Sequence, residues 1–269
     1  MLILRPKRWT EKPPGEVAID WGHPLANGLV FHSLCHRPGY AVDLVTGQPI
    51  TWKAGTTLTV GERYGPAGMR TDATTEGATI TCPEHLKLQV MTILWRGLML
   101  AGTPTGGSGV FNISANNSDV APYIAYGFFR QSGTLFRLHW NNGSIQTIEV
   151  TAGAAGDFQT FAATIQSGAQ ALYKNGLSIG SGTAVGTTAY SATSQLSIGS
   201  YANTSRNPLV WTDAVWIYNR RLSPGELCDL HYAPWQALVP QSPKIRIFGV
   251  AGAPPTVFPH DYYARQRAS

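Results

Sequence analysis

Fifteen carboxylates, seven histidines and three cysteines are the side chains of this sequence best suited to chemistry, and their spacing decides which chemistry is open. A retaining glycosidase needs two carboxyl groups about 5–5.5 Å apart, one as nucleophile and one as proton donor. The closest pairs in the body of the chain are Asp72/Glu76 and Glu226/Asp229. The first falls in a turn and the second in a helix cap, so no catalytic residue is nominated. Gly180-Ser-Gly reads as hairpin and Gly106-Gly-Ser-Gly as loop. Neither is the strand-to-helix elbow that exposes a serine nucleophile. Of His23, His32, His36, His85, His139, His231 and His260, only His32 and His36 have a close spacing, and they sit at a strand end, which gives zinc no support. Cys35, Cys82 and Cys228 form no CxxC pair and read as free thiols.

Binding is better represented than catalysis. In 134–140, Phe136, Leu138 and Trp140 share one face of a strand and Arg137 and His139 the other. Trp140 is therefore assigned to the core, and Arg137, His139, Asn141 and Asn142 become the carbohydrate-binding candidates. No cofactor is required. Calcium has one candidate cluster, Asn112, Asn116, Asn117 and Asp119, whose single carboxylate is thin for an ion that takes about 6–8 oxygens; turn formation explains the asparagines equally. In 211–218, Trp216 and Tyr218 point away from the face of Asp213, Val215 and Ile217. An outward Trp/Tyr pair needs a cover. One of the chain's own arms is one cover and a partner subunit is another, so both residues are also partner-binding candidates.

The net charge of +5 lies at the ends. Residues 1–16 carry Arg5, Lys7, Arg8 and Lys12 against Glu11 and Glu16, and residues 241–269 carry Lys244, Arg246, Arg265 and Arg267 against Asp261. Residues 17–240 are neutral. Basic ends suit an acidic protein surface or nucleic acid. Arg5, Lys7, Arg8, Trp9, Lys244 and Arg246 are the partner-binding candidates of the arms. Four cations per arm are few for a phosphate-dominated contact. The apolar run after Met1 is too short for a signal-peptide core, and no stretch approaches a membrane span.

The chain has 29 glycines and 18 prolines with only 13% charged residues, which suits short strands joined by turns. Strands are expected at 28–35, 56–60, 67–72, 77–82, 90–100, 110–114, 123–130, 134–140, 144–150, 158–166, 169–174, 177–180, 195–200 and 211–218, with short edge pieces at 41–44 and 50–52. Asn142-Gly143 and Asn175-Gly176 mark hairpins. Ser223-Pro224-Gly225-Glu226 is a capping box that opens a helix over 224–231. Three segments follow: an extended proline-rich N-terminal arm at 1–24, a body at 25–235 and an extended proline/aromatic C-terminal arm at 236–269.

The set Phe158-Gln-Thr-Phe-Ala-Ala-Thr-Ile, Ala171-Leu-Tyr-Lys-Asn-Gly, Leu196-Ser-Ile-Gly and Asp213-Ala-Val-Trp-Ile-Tyr-Asn-Arg-Arg-Leu-Ser-Pro-Gly-Glu-Leu resembles the laminin G-like, concanavalin A-like lectin/glucanase superfamily. The resemblance implies an all-β fold, a jelly-roll β-sandwich of two antiparallel sheets closed by one short C-terminal helix. The superfamily's glucanases carry Glu-x-Asp-x-x-Glu or a near variant, which is missing here. Asp20-Trp-Gly-His-Pro-Leu-Ala-Asn-Gly-Leu-Val and Ala233-Pro-Trp-Gln-Ala-Leu are similar to laminin G-like proteins of tailed-bacteriophage particles. That likeness implies a non-enzymatic virion component, made without a signal peptide. It would be present in several copies, as a homo-oligomer or multicopy assembly, and docked by its arms on other virion proteins such as the major capsid protein. A lectin-like adhesin is the alternative and a glycoside hydrolase a more distant one. Membrane and nucleic-acid partners are not expected.

Overall fold

Alternating β-branched and aromatic residues, punctuated by glycine, pair here into two large antiparallel sheets. The structure is a computed structural model that describes residues 12–13, 17–35, 42–53, 56–61, 65–73, 76–104, 107–115, 124–151, 156, 158–200 and 208–240, with the backbone alone at 57–61 and 65–67. In chain order the strands are β1 (Val17–Ile19), β2 (Leu29–Ser33), β3 (Thr51–Trp52), β4 (Thr57–Gly61), β5 (Gly65–Thr71), β6 (Ala78–Thr81) and β7 (Met91–Met99). Then come β8 (Ser108–Ser114), β9 (Ile124–Arg130), β10 (Leu135–Asn141), β11 (Ile145–Thr151), β12 (Phe158–Gln166), β13 (Ala169–Lys174) and β14 (Leu177–Gly182). The chain continues through β15 (Gln195–Ile198), β16 (Val210–Tyr218), helix α1 (Pro224–Tyr232) and β17 (Leu238–Pro240).

One sheet has the order β11-β10-β9-β8-β15-β6-β3; the other runs β14-β13-β12-β7-β16-β5-β4, with β2 also paired to β16. The neighbours are antiparallel, as a jelly-roll sandwich requires. Between the sheets Phe136 stacks on Phe161 at 3.9 Å, and Trp95 lies 6.1 Å from Phe136. Trp95 Nε1 donates to Thr212 Oγ1 at 2.9 Å, which satisfies the one polar atom of that ring. Asn175 and Gly176 both have positive φ, 53° and 82°, in the two-residue turn that the hairpin signal predicts. The Ser223–Glu226 capping box is present with both reciprocal bonds.

A third layer covers the outer face of the β12-β7-β16 sheet. Val17 and Ile19 of β1, Leu238 of β17, Leu227 and Leu230 of α1, and Trp235 cluster there with Leu94, Ala162, Trp216 and Tyr218. β1 and β17 form a separate ribbon in which Val17 lies opposite Pro240 and Ile19 opposite Leu238. The arm boundaries expected from proline content therefore shift. Residues 17–24 and 236–240 are part of the folded body, where Val17, Ile19, Ala237 and Leu238 cover this sheet face. Residues 1–11 and 241–269, with Arg5, Lys7, Arg8, Trp9, Lys244 and Arg246, lie outside the described residues.

Candidate functional site

Five groups of candidate residues take definite positions. Arg137 and His139 do share the outward face of β10, but the guanidinium is paired across the strands with Glu149 of β11. His139 is buried, its ring 4.5 Å from Phe129. Asn141 is also buried, and its Oδ1 accepts from Gly143 N at 2.8 Å to hold the hairpin turn. Asn142 Nδ2 donates to Val185 O at 2.6 Å and so ties the turn to the loop after β14. Of the four carbohydrate-binding candidates, His139 and Asn141 present no open platform and Asn142 acts as a pin.

Trp216 and Tyr218 do point away from the sandwich core, yet both are buried under the third layer. Trp216 lies between His32, at 4.8 Å, and Trp235, at 6.0 Å. The chain's own segments supply the cover, which leaves neither side chain exposed.

The same layer contains a buried ion cluster. A bulge between Thr212 and Ala214 turns Asp213 outward, where its carboxylate pairs with Lys12 at 2.8 Å and with Arg96. Lys12 also donates to the Asp213 carbonyl at 2.7 Å. The Arg96 guanidinium lies 4.1 Å from the Phe158 ring centre. Its pKa is lowered by burial and supported by Asp213, so the charge is held by geometry rather than by water. Such a constellation anchors a chain segment; it has no free nucleophile or base.

Asn112 donates to Ser200 O at 2.8 Å and accepts from Ser114 Oγ at 2.6 Å. Both side-chain atoms are engaged with protein, which argues against the calcium role. Asn116, Asn117 and Asp119 lie outside the described residues. Among the described residues no three His, Cys, Asp or Glu side chains gather as metal ligands.

The nearest carboxylate pairs serve local structure. Glu76 Oε2 accepts from the Asp72 and Ala73 amides, and Asp72 pairs with Arg70. Glu226 caps α1 and pairs with Arg220 at 2.6 Å, and this arginine, ahead of other causes, holds its carboxyl down to about 2. Burial pushes the Cys35 and Cys82 thiols up to about 12, so neither is a ready thiolate.

One feature escaped the sequence reading. Between the edge strands β11 and β14, where the two sheets meet, there is a cavity of about 340 Å³. Its walls include Trp140, Gln146, Ile148, Gln170, Gly182 and Thr183. Trp140 lies opposite Gln146 in the β10–β11 register, and Gln170 opposite Gly182 in the β13–β14 register. Gln146 is thus an inward polar residue, sharing a face with Ile148 and Val150. The available sequence signal was glutamine in a core-facing alternate position opposite a core tryptophan. Gln170 is fully engaged: Nε2 donates to Gln166 O and Ala184 O, and Oε1 accepts from Ala184 N at 3.0 Å. Trp140 Nε1 donates to Thr188 Oγ1 at 2.8 Å. These bonds fix the segment after β14 as the cavity's rim.

Residues 99–228 match the family model of the concanavalin A-like lectin/glucanases superfamily. No curated protein matches the chain. Solved structures agree with the superfamily fold. The binding domain of botulinum neurotoxin DC, solved with rat synaptotagmin II, is similar with a TM-score of 0.57 at 13% identity, covering 76% of this chain and 51% of that one. The binding domain of Paraclostridial Mosquitocidal Protein 1 gives 0.58 at 17% identity, covering 77% and 52%. A Trypanosoma rangeli sialidase bound to sialic acid gives 0.57 at 15%, covering 77% and 33%. This chain spans between a third and about half of those proteins, and the likeness is one of fold. The body is therefore a β-sandwich similar in fold to concanavalin A-like domains. No helix among the described residues is long and apolar enough to cross a membrane.

Proposed function

We propose that the chain is a non-enzymatic interaction protein of a virus particle, its sandwich body docked through two basic ends on other virion proteins such as the major capsid protein. The observation that supports this reading is the pairing of Val17 with Pro240. The described residues that lead towards the two basic ends of the sequence, Val17 and Pro240, thus lie opposite each other, on a body whose residues 17–240 carry no net charge. Two tethered contacts on one surface reinforce each other through effective concentration, by about 10²–10⁴ over either alone. The described carboxylate pairs are engaged in caps and ion pairs, which agrees with a role in binding.

The experiment removes residues 1–11, residues 241–269, or both, and measures copies incorporated per assembled particle. Each single deletion is expected to lower incorporation and the double deletion to abolish it, with an unchanged far-UV spectrum. Wild-type incorporation of the double deletion would overturn the reading. A steep loss of DNA binding with salt by the intact chain would redirect the ends to nucleic acid.

A second reading, a lectin-like adhesin, is favoured by the amide- and hydroxyl-lined cavity between β11 and β14 in a superfamily that includes lectins. Screening the intact chain on a glycan array tests it, and an array without binding counts against it.

A further inference from the structure

We infer that the cavity between β11 and β14 is a subsite for one uncharged, hexose-sized sugar residue; this rests on the adhesin reading and gives it a place and a ligand class. Sandwich interiors are apolar because a buried amide without partners costs about 1–3 kcal/mol by mutational measures. Two glutamines nevertheless enter the inter-sheet space at its edge. Gln170 is consumed by its three bonds to the chain. Gln146 is not: its Nε2 donates to Asn142 Oδ1 at 3.3 Å and Ser144 Oγ at 2.9 Å, while its Oε1 accepts nothing among the described residues. Gln146 and the exposed Thr183 both line the cavity, so their side chains bring to it an amide oxygen that accepts and a hydroxyl that can donate or accept. Trp140 and Ile148 form an apolar floor. Hydroxyl-bonding groups above an apolar wall match the two kinds of surface on a pyranose.

Size and charge narrow the class. About 340 Å³ is at the lower end of the roughly 300–1,000 Å³ of ligand pockets, enough for one ring and not for an extended chain. None of the lining residues is ionisable. A sugar carboxylate would enter without a counter-charge and lose its water, so acidic sugars are disfavoured. Gly182 lines the space without a side chain. A Cβ there would meet Ile148 Cδ1 at 3.5 Å, ordinary contact, and Gln170 Oε1 at 3.3 Å, a tight contact that the glutamine relieves only by moving a few tenths of an ångström, so a larger residue competes with the cavity and with Gln170 for space.

The test is amide-resolved NMR of the intact chain titrated with glucose, galactose, mannose, N-acetylglucosamine and maltose, with N-acetylneuraminic acid as the acidic comparison. At least one neutral sugar is expected to shift Gln146, Gln170, Thr183 and Ala184 together. Gly182→Leu should abolish those shifts, with a folded-state spectrum retained and some loss of melting temperature as Gln170 gives way, and Gln146→Ala, at a near wild-type melting temperature, should weaken binding about tenfold. The proposal is overturned if no neutral sugar moves these residues, if the shifts persist in Gly182→Leu, or if only the acidic sugar produces them. Glycan-array binding that survives Gly182→Leu overturns the subsite and leaves an adhesin with its site elsewhere; an array blank for wild type removes both.

Discussion

Lys12 Nζ lies 2.8 Å from Asp213 Oδ1, both side chains 3% exposed, although 201 residues separate them in the chain. The pair fastens the residues just before β1 to the central strand β16, and Arg96 shares the same carboxylate. Removing one member of a buried ion pair strands the other charge, at roughly 3–5 kcal/mol. Asp213→Asn leaves the buried Lys12 and the partly buried Arg96 without their carboxylate and should lower stability in urea unfolding by an amount in that range. Lys12→Met leaves Asp213 with Arg96 and should cost clearly less. Equal losses in the two variants would contradict the sharing of one carboxylate.

His32 makes stability depend on pH. Burial lowers its pKa from 6.5 to about 4, partly opposed by its hydrogen bond to Val215 O at 2.9 Å. The unfolded chain therefore binds a proton below pH 6.5 that the folded chain refuses until about pH 4. Stability is fully present above pH 6.5 and falls through that window, by about 3 kcal/mol at its acid end. Glu226 adds a smaller loss lower down, as pH falls from about 4.5 towards 2. His32→Phe keeps a ring against Trp216 and should flatten the melting temperature between pH 6.5 and 4, with a constant penalty for the bare Val215 carbonyl. An undiminished slope in that variant would assign the acid sensitivity elsewhere.

Gly176 is where the β13–β14 hairpin touches α1. A Cβ there would sit 2.7 Å from Cys228 Sγ and 2.9 Å from Cys228 Cα, at a φ of +82°. Gly176→Ala is expected to cost about 2–4 kcal/mol, backbone strain and overpacking together. Gly143→Ala has a φ of +104° with open space around it, and should cost only the strain, about 1–2 kcal/mol. Comparing the two in thermal unfolding isolates the hairpin–helix contact.

Arg130 is fully buried and donates to the carbonyls of Pro208, Leu209, Gly102 and Gly133. It closes one end of the sandwich by holding three loop segments at once. Arg130→Met keeps the stem and removes every donor, and should destabilise by about 3 kcal/mol or more. A change under about 1 kcal/mol in chemical unfolding would show that water replaces the guanidinium at those carbonyls.

Most elements were legible in local sequence. The strands at 158–166 and 169–174 match expectation to the residue, and α1 runs one residue further than its 224–231 estimate. Alternation placed Trp140 in the core and Trp216 on the opposite face of β16, and both assignments hold. β1 and β17 were missed because three-residue pairings beside prolines have no period to detect. The cavity was missed because Gln146 reads as ordinary surface until its cross-strand partner Trp140 is known.

By itself the sequence determined the sandwich, its hairpins, the capped helix and the concentration of charge at the two ends, because those follow from period-two burial, turn chemistry and composition over a few neighbouring residues. The tertiary structure alone decided which outward faces stay open. Trp216 is closed by β1, β17 and Trp235, and Lys12 finds Asp213, through contacts spanning most of the chain. The gap at Gly182 exists because two edge strands from different sheets meet there. Local pattern sets the direction in which a side chain points; distant segments set what it meets.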